Sequence, residues 1–332
     1  MRCLALAQAW QDTGGEAVFV TVEPSQSIRD RLYSEKMEVV SIEVQPGGCD
    51  DAIYMTGLAN QRTATWVAVD GYHFGADYQQ VLKAAGLHIL FLDDNVHASH
   101  YFGDVIVNQN VHADESLYPN REPYTQLLLG PHYCMLRREF NPWREWIREI
   151  PAVARRVLIV MGGSDPDNFT ESVMRVLLSA QVEGLETTVA VGGSNPHGMS
   201  LQKVASGVDN SIHFRRDVSD MAELMAEADA AVSAAGTTCW ELCFLGLPTI
   251  LIDVAENQRA LAQELHKQGC AIHLGSLRDV SAEKVAARLE QLLNSSETRR
   301  SLSQHARQLV DGEGAKRVVS FLQRKNHGLQ SA

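Results

Sequence analysis

The stretch 230–252, A-A-V-S-A-A-G-T-T-C-W-E-L-C-F-L-G-L-P-T-I-L-I, leaves this chain few choices of fold. Small and apolar residues ending at Ala235 read as a buried strand, Gly236 gives a tight turn, and residues 238–245 read as a helix stopped by Gly246 and Pro248. A second apolar strand, 249–252, follows at once. In a parallel sheet this order sets a helix start, with its unbonded N–H groups and positive dipole end, at the carboxyl edge of a strand. Such a place suits an anion, and a diphosphate in particular. Thr238 and Glu241 also spell T-x-x-E, a capping box that would occupy the same helix start from within the chain.

The rest of the sequence repeats the alternation. In the first half, helix patterns at 2–11, 27–34, 50–60 and 76–85 alternate with strand patterns at 17–22, 39–42, 66–70 and 88–92, and short apolar runs follow at 105–107 and 127–129. The strands are nearly continuous in apolar residues, as expected where helices cover both faces of a parallel sheet. Between 140 and 154 the alternation stops and two prolines appear, which marks the connection between domains. A second alternation then runs from the strand 157–161, through the helix 168–180, the strands 187–191 and 211–214 and the helix 219–228, to helices at 282–293 and 297–310 that are expected to close the chain. The predicted fold class is α/β, with two doubly wound Rossmann-like domains, residues 1–150 and 151–332, facing a cleft.

Composition narrows the partners. With 332 residues, 45% of them hydrophobic, the chain buries a sizeable core, and a formal charge of −12 argues against nucleic acid or an anionic membrane surface as the main partner. A small phosphate ligand stays compatible, because backbone N–H groups can hold it without basic side chains. The six cysteines form no C-x-x-C and no zinc spacing with the twelve histidines, so they read as free thiols of a cytoplasmic protein; Cys239 and Cys243 stand four apart, as core residues of one helix. No metal and no cofactor is expected, and the chain is expected to be a monomer or weak oligomer without stable membrane association.

Polar residues gather where strands end: Asp70 with Tyr72 and His73, Asp93 with Asp94, Asn108 with Asn110. In the second half Gly162, Gly163, Ser164 and Asp165 follow one strand, a second glycine pair at 192–193 follows the next, and Glu256, Asn257 and Gln258 open a helix after the strand 249–252. Paired glycines let a backbone approach a ligand, and amides offer the donors and acceptors that sugar hydroxyls need. The motif S-A-A-G-T-T-x-W-E-x-x-x-x-G-x-P, with M-G-G-S-D ahead of it and E-N-Q after it, resembles the nucleotide-binding half of GT-B glycosyltransferases of the lipid II-forming N-acetylglucosaminyltransferase kind. With W-V-A-V-D-G-Y-H-F, L-F-L-D-D, V-N-Q-N and L-L-G-P-H-Y-C-M-L-R-R-E-F in order ahead of them, the set is similar to the UDP-2,4-diacetamido-2,4,6-trideoxy-beta-L-altropyranose hydrolases of pseudaminic acid synthesis.

That resemblance implies a GT-B fold and metal-independent hydrolysis of a UDP-sugar by water at the anomeric carbon. Carried over, Gly236, Thr237 and Thr238 hold the diphosphate, Glu241 the ribose hydroxyls, and the backbone from Phe214 to Val218 the uracil. The loop with Gly162, Gly163, Ser164 and Asp165 approaches the phosphates and sugar, Asn257 and Gln258 bind the sugar, and Tyr72 orients sugar or water. One departure matters: the family's base is a histidine in an N-terminal G-x-G-H-x-x-R-x-x-x-L-A loop, and M-R-C-L-A-L-A matches only from just past it, with Arg2 on the arginine. The expectation is that the first strand, the loop and the base are absent through a late start or truncation, so that this chain is poorly active unless another group serves. His73 is the candidate substitute, with Asp70, Asp94 and His97 near it in the pattern. An inverting UDP-sugar glycosyltransferase and a non-catalytic UDP-sugar-binding protein remain the alternatives.

Overall fold

The computed structural model describes residues 1–179, 182–206 and 212–330. Its chain forms two compact units, Met1–Arg138 with Glu313–Ala332, and Glu139–Gly312. The first unit runs α1 (Arg2–Gln11), β1 (Val18–Thr21), α2 (Gln26–Ser34), β2 (Glu38–Ser41), α3 (Cys49–Gln61), β3 (Val67–Asp70), α4 (Ala76–Ala84), β4 (Ile89–Leu92), β5 (Val105–Asn108) and β6 (Gln126–Leu129). Strands β3 to β6 pair in sequence order as a parallel sheet, and β1 and β2 form a separate parallel pair. Every residue of β4 and β5 is buried, and alternate ones join different cores. Leu90, Leu92, Val105 and Val107 pack with Ala5, Leu6 and Ala9 of α1, whereas Ile89, Phe91 and Ile106 pack with Ala52 and Ala59 of α3 and Leu82 of α4. Covered faces on both sides explain why these strands carry no polar alternation.

The second unit runs β7 (Arg156–Val160), α5 (Phe169–Ser179), β8 (Glu186–Val191), α6 (Gly198–Ala205), β9 (Ile212–Arg216), α7 (Met221–Glu227), β10 (Ala230–Ala234), α8 (Thr238–Phe244), β11 (Thr249–Asp253), α9 (Arg259–Lys267), β12 (Ile272–Ser276), α10 (Ala282–Asn294) and α11 (Ser296–Leu309). Its parallel sheet has the order β12-β11-β10-β7-β8-β9. Strand order reverses between β7 and β10, which makes that pair the topological switch point. Ala180 and Ser211, expected to end a helix and begin a strand, lie outside the described residues.

Two expectations about organisation need correction. The chain does not close with α11: α12 (Gly314–Gln330) follows it. Nor does this helix belong to the second half, because Ala315, Val318, Val319 and Leu322 share the core of α1, β4 and β5 in the first unit. Those four positions fall at i, i+3, i+4 and i+7, one face of a helix, and α1 offers the apolar face they cover.

The segment read as the connection, 140–154, is held to the second unit by arginines. Arg148 donates to the carbonyls of Met225 and Ala228, at the end of α7, and of Leu245, at the end of α8. Arg299 donates to Leu292 and Leu293 at the end of α10 and to Pro151 and Ala152. Arg307 joins Phe244 O and Arg144 O. The last carbonyls of a helix have no partner within it, and a cationic fork satisfies several at once while opposing the dipole. Arg148→Ala strands three carbonyls in a site where the side chain is 9% exposed. We expect a loss of about 3 kcal/mol in unfolding free energy, measured by urea titration against the wild type; a change under about 0.5 kcal/mol would refute the capping role.

Candidate functional site

In the second unit the loops 161–168 after β7 and 235–237 after β10 flank the switch point, where doubly wound sheets bind their ligands. The next loop along, 254–258, follows β11 and brings Gln258 to Gly236: a methyl group built on Gly236 would stand 3.9 Å from the Gln258 side-chain nitrogen. The Gln258 carbonyl oxygen accepts from Val254 N at 3.2 Å, which turns the amide NH2 group towards that glycine. Asn257 is exposed in the same turn.

The helix start at 237–238 differs from its sequence reading. Thr237, not Thr238, is the N-cap of α8, and its φ of −60° and ψ of −22° are already helical. No side-chain cap hydrogen bond forms there, so the expected Thr238–Glu241 capping box is absent. Thr237 is exposed, Gly236, Thr238 and Glu241 are half-buried, and the remainder of the helix, Cys239 included, is core. Burial pushes the Cys239 thiol up to about 12, consistent with an inert packing role.

On the β7 side, Gly162 takes φ +87°, a conformation glycine adopts without strain, and Gly162, Gly163 and Ser164 are exposed. Asp165 is buried instead, and its two carboxylate oxygens accept from Phe169 N at 2.8 Å and Thr170 N at 2.9 Å. It is the cap of α5, with both oxygens engaged, so it is placed to shape the loop rather than to meet a ligand. The glycine pair after β8 is explained by contact: a Cβ on Gly192 would fall 2.3 Å from Gly163 O. His197 donates through Nε2 to Pro166 O at 3.0 Å, tying the two loops again, a link the sequence reading missed. Phe214 and Val218 lie on and after β9, the outer strand, two positions from β7; Phe214 is half-buried against the sheet core.

In the first unit the polar cluster stands at the carboxyl ends of β3 and β4. Arg2 donates to Asp70 at 2.6 Å and to Asp94 at 2.8 Å, and the Cys3 thiol donates to Asp70 at 3.0 Å. Burial alone would lift the Asp70 carboxyl, but the hydrogen bonds and charge of Arg2 outweigh it and hold Asp70 below the usual carboxylate range. Burial also works against the Arg2 charge, and Asp70 and Asp94 reverse that and raise its pKa. The two carboxylates are therefore engaged by an arginine, a bridge the sequence reading did not anticipate. His97 faces the carbonyl of Phe74 with Nε2 at 3.2 Å and Asp93 with Nδ1 at 3.6 Å, and the Tyr72 ring meets its edge at 5.8 Å. Tyr72 and His73 are exposed. His73 folds back over Gly71, where a Cβ would meet its ring at 2.9 Å, and packs against Phe74 at 4.2 Å between centroids.

Because the folded pKa of Asp70 is depressed, its ion pair stabilises the protein at pH values above the unfolded carboxyl pKa, and that stability is lost as pH falls through the folded value. Asp70→Asn is therefore expected to lower the melting temperature at pH 7 by several degrees and to approach the wild type in acid. Parallel curves from pH 7 to pH 3 would show that the pair carries no such linkage.

Residues 157–319 match the family model described as "Glycosyltransferase family 28 C-terminal domain". The chain is 28% identical over 241 residues, 71% of its length, to the spore coat polysaccharide biosynthesis protein SpsG of Bacillus subtilis (strain 168), covering 68% of that protein. Among solved structures it is similar to Acinetobacter baumannii MurG, with a TM-score of 0.66 at 17% identity over 97% of this chain and 95% of that one. It is similar also to Anabaena Alr3699/HepE, solved with UDP and glucose, with a TM-score of 0.62 at 14% identity over 100% and 95% of the two chains. The chain thus has the α/β fold of the GT-B glycosyltransferases, built on two parallel-sheet units, and the match to the family 28 C-terminal domain covers most of the second unit and runs on into the start of α12.

Proposed function

We propose that this protein binds a UDP-sugar and hydrolyses it, with a UDP-linked 2,4-diacetamido-2,4,6-trideoxy sugar as substrate. The observation that carries the reading is the α8 start: without a side-chain cap, exposed at Thr237, it stands beside the switch point with the Gly162–Gly163 loop on one side and Gln258 on the other. The N–H groups at 237–238 would hold the diphosphate, the positive end of the helix offsetting its charge. Glu241, one turn inside, would accept from the ribose hydroxyls, and the backbone of Phe214 to Val218 would take the uracil. Asn257 and Gln258 would bind the sugar. The match to SpsG, a protein of polysaccharide biosynthesis, supports a sugar-nucleotide substrate, and the UDP bound to Alr3699/HepE supports the choice of nucleotide.

Hydrolysis needs a group to take a proton from water as oxygen bonds to the anomeric carbon and UDP departs with the electron pair of the broken bond. In the first unit Asp70 and Asp94 are held by Arg2, and His97 has its Nε2 on a carbonyl, which leaves the exposed His73 as the better placed base. Tyr72 beside it would orient the sugar or the water.

UDP release from the diacetamido sugar nucleotide, assayed without an acceptor, tests this reading; release that depends strictly on an added acceptor would make the protein a glycosyltransferase instead, and binding without turnover would make it a UDP-sugar-binding protein. His73→Ala is expected to lower kcat about 100-fold to 10,000-fold while UDP affinity by calorimetry stays unchanged. Equal turnover in variant and wild type would remove His73 from the chemistry. Thr237→Glu sets a negative charge at the helix start and is expected to weaken UDP binding at least about tenfold, with the melting temperature retained; unaltered affinity would place the diphosphate elsewhere.

A further inference from the structure

Away from the carboxyl edge, the second unit holds a cavity of about 330 Å³ along β12, the outer strand of its sheet. One side of it is apolar. Ile272 and Leu274 stand two apart on β12 and pack against the sheet core, and Leu292 of α10 is fully buried. Side chains at i and i+2 of a strand share a face, so β12 supplies one wall and α10 another. Being outermost, β12 is only half-buried along its length, which leaves this wall open to a ligand.

The other side is cationic. Lys284 and Arg288 stand four apart on α10, on one face of the helix, and Gln291 continues that face. Among the described residues no carboxylate lines the cavity, although the whole chain carries a formal charge of −12. The Glu283 carboxyl, next to Lys284, is held below its usual range by its own backbone N–H and by Ser281. Among the described residues Lys284 and Arg288 make no ion pair, and the Arg288 guanidinium donates to Gln291 Oε1 at 2.8 Å. Like charges four apart on a helix repel each other, so the fold by itself gains nothing from this pairing. His273 is matched internally, with Nε2 on the buried Asp253 at 2.9 Å. His266 gives Nδ1 to Ala271 O at 3.1 Å, which leaves Nε2 for a ligand.

We propose that this cavity binds a small organic phosphate monoester, with its dianionic head between Lys284 and Arg288 and its apolar body over Ile272, Leu274 and Leu292. Two fixed cations balance one phosphate dianion. The Arg288 fork can meet two of its oxygens while Lys284 acts as a point charge. A polyanion such as nucleic acid needs a longer basic track than one face of α10 offers. An inorganic anion would leave the apolar wall unused, and a neutral apolar molecule would leave the two charges unbalanced. The volume falls at the small end of the ~300–1,000 Å³ typical of ligand sites, which suits a compact molecule. Strand β12 stands two strands from β10, so this inference is independent of the nucleotide site proposed at the start of α8.

The probe is phenyl phosphate, titrated into the full chain and followed by amide chemical shifts in isotope-labelled protein. Saturable shifts are expected at Leu274, Arg288 and Thr298, which all line the cavity. Inorganic phosphate is expected to bind at the same amides at least about tenfold more weakly, for want of the burial a phenyl ring supplies. Phenol should give no saturable shift there. Lys284 and Arg288 are exposed, so Lys284→Gln and Arg288→Gln should each keep the wild-type melting temperature and circular dichroism. Each should weaken phenyl phosphate binding at least about tenfold, and the double variant should abolish it. The absence of saturable shifts at these amides with millimolar phenyl phosphate would overturn the proposal. So would inorganic phosphate or phenol binding as tightly as phenyl phosphate, or an affinity unchanged in the double variant.

Discussion

A parallel strand covered on both faces can satisfy its backbone only sideways, and its connections must leave from one edge of the sheet. Much else in this protein follows from that constraint. The strands β4, β5, β10 and β11 are buried along their whole length and largely apolar because neither face meets water. Helices return over both faces, so their final carbonyls point into packed regions, and Arg148, Arg299 and Arg307 answer them from the segment and helices alongside. Polar chemistry is left the carboxyl edge, where Gly162, Gly236 and Gln258 in one unit and Asp70, Tyr72 and His73 in the other are found.

The two carboxyl edges are built differently. In the second unit it is made largely of backbone: glycines, a helix start and an amide, with the carboxylate of Asp165 turned inward to α5. In the first it is made of side chains, with Arg2 joining Asp70 and Asp94 into one charged cluster at the root of α1. Backbone donors suit a ligand whose charge is fixed, whereas a charged cluster sets the protonation of its neighbours.

Period and punctuation made most of the fold legible. Helix α1 spans the residues that its apolar spacing marked, and the strand, turn and helix at 230–244 lie where Gly236, Gly246 and Pro248 placed them. What was illegible depended on dihedrals or on distance in space. T-x-x-E is a capping box only if the threonine holds a non-helical backbone, and here the preceding Thr237 is already helical. Asp165 looked like a ligand carboxylate beside two glycines, but its φ of +39° folds the chain back so that it caps its own helix. Gly192 looked like a second ligand loop, and it is glycine because Gly163 lies against it. Helix α12 had its signal in the spacing of Ala315, Val318, Val319 and Leu322; what no local pattern carried was that it packs on a helix from the other end of the sequence.

That return of α12 bears on the order in which the protein is made. A ribosome completes residues 139–312 before it reaches the helix that the first unit requires, and domains generally fold as units while the chain emerges. Until then the face formed by Leu6, Leu90, Leu92, Val105 and Val107 lacks its cover of Val318, Val319 and Leu322. The first unit is thus sealed only after the second has been made, and in the nascent chain that apolar face is the surface a chaperone would meet.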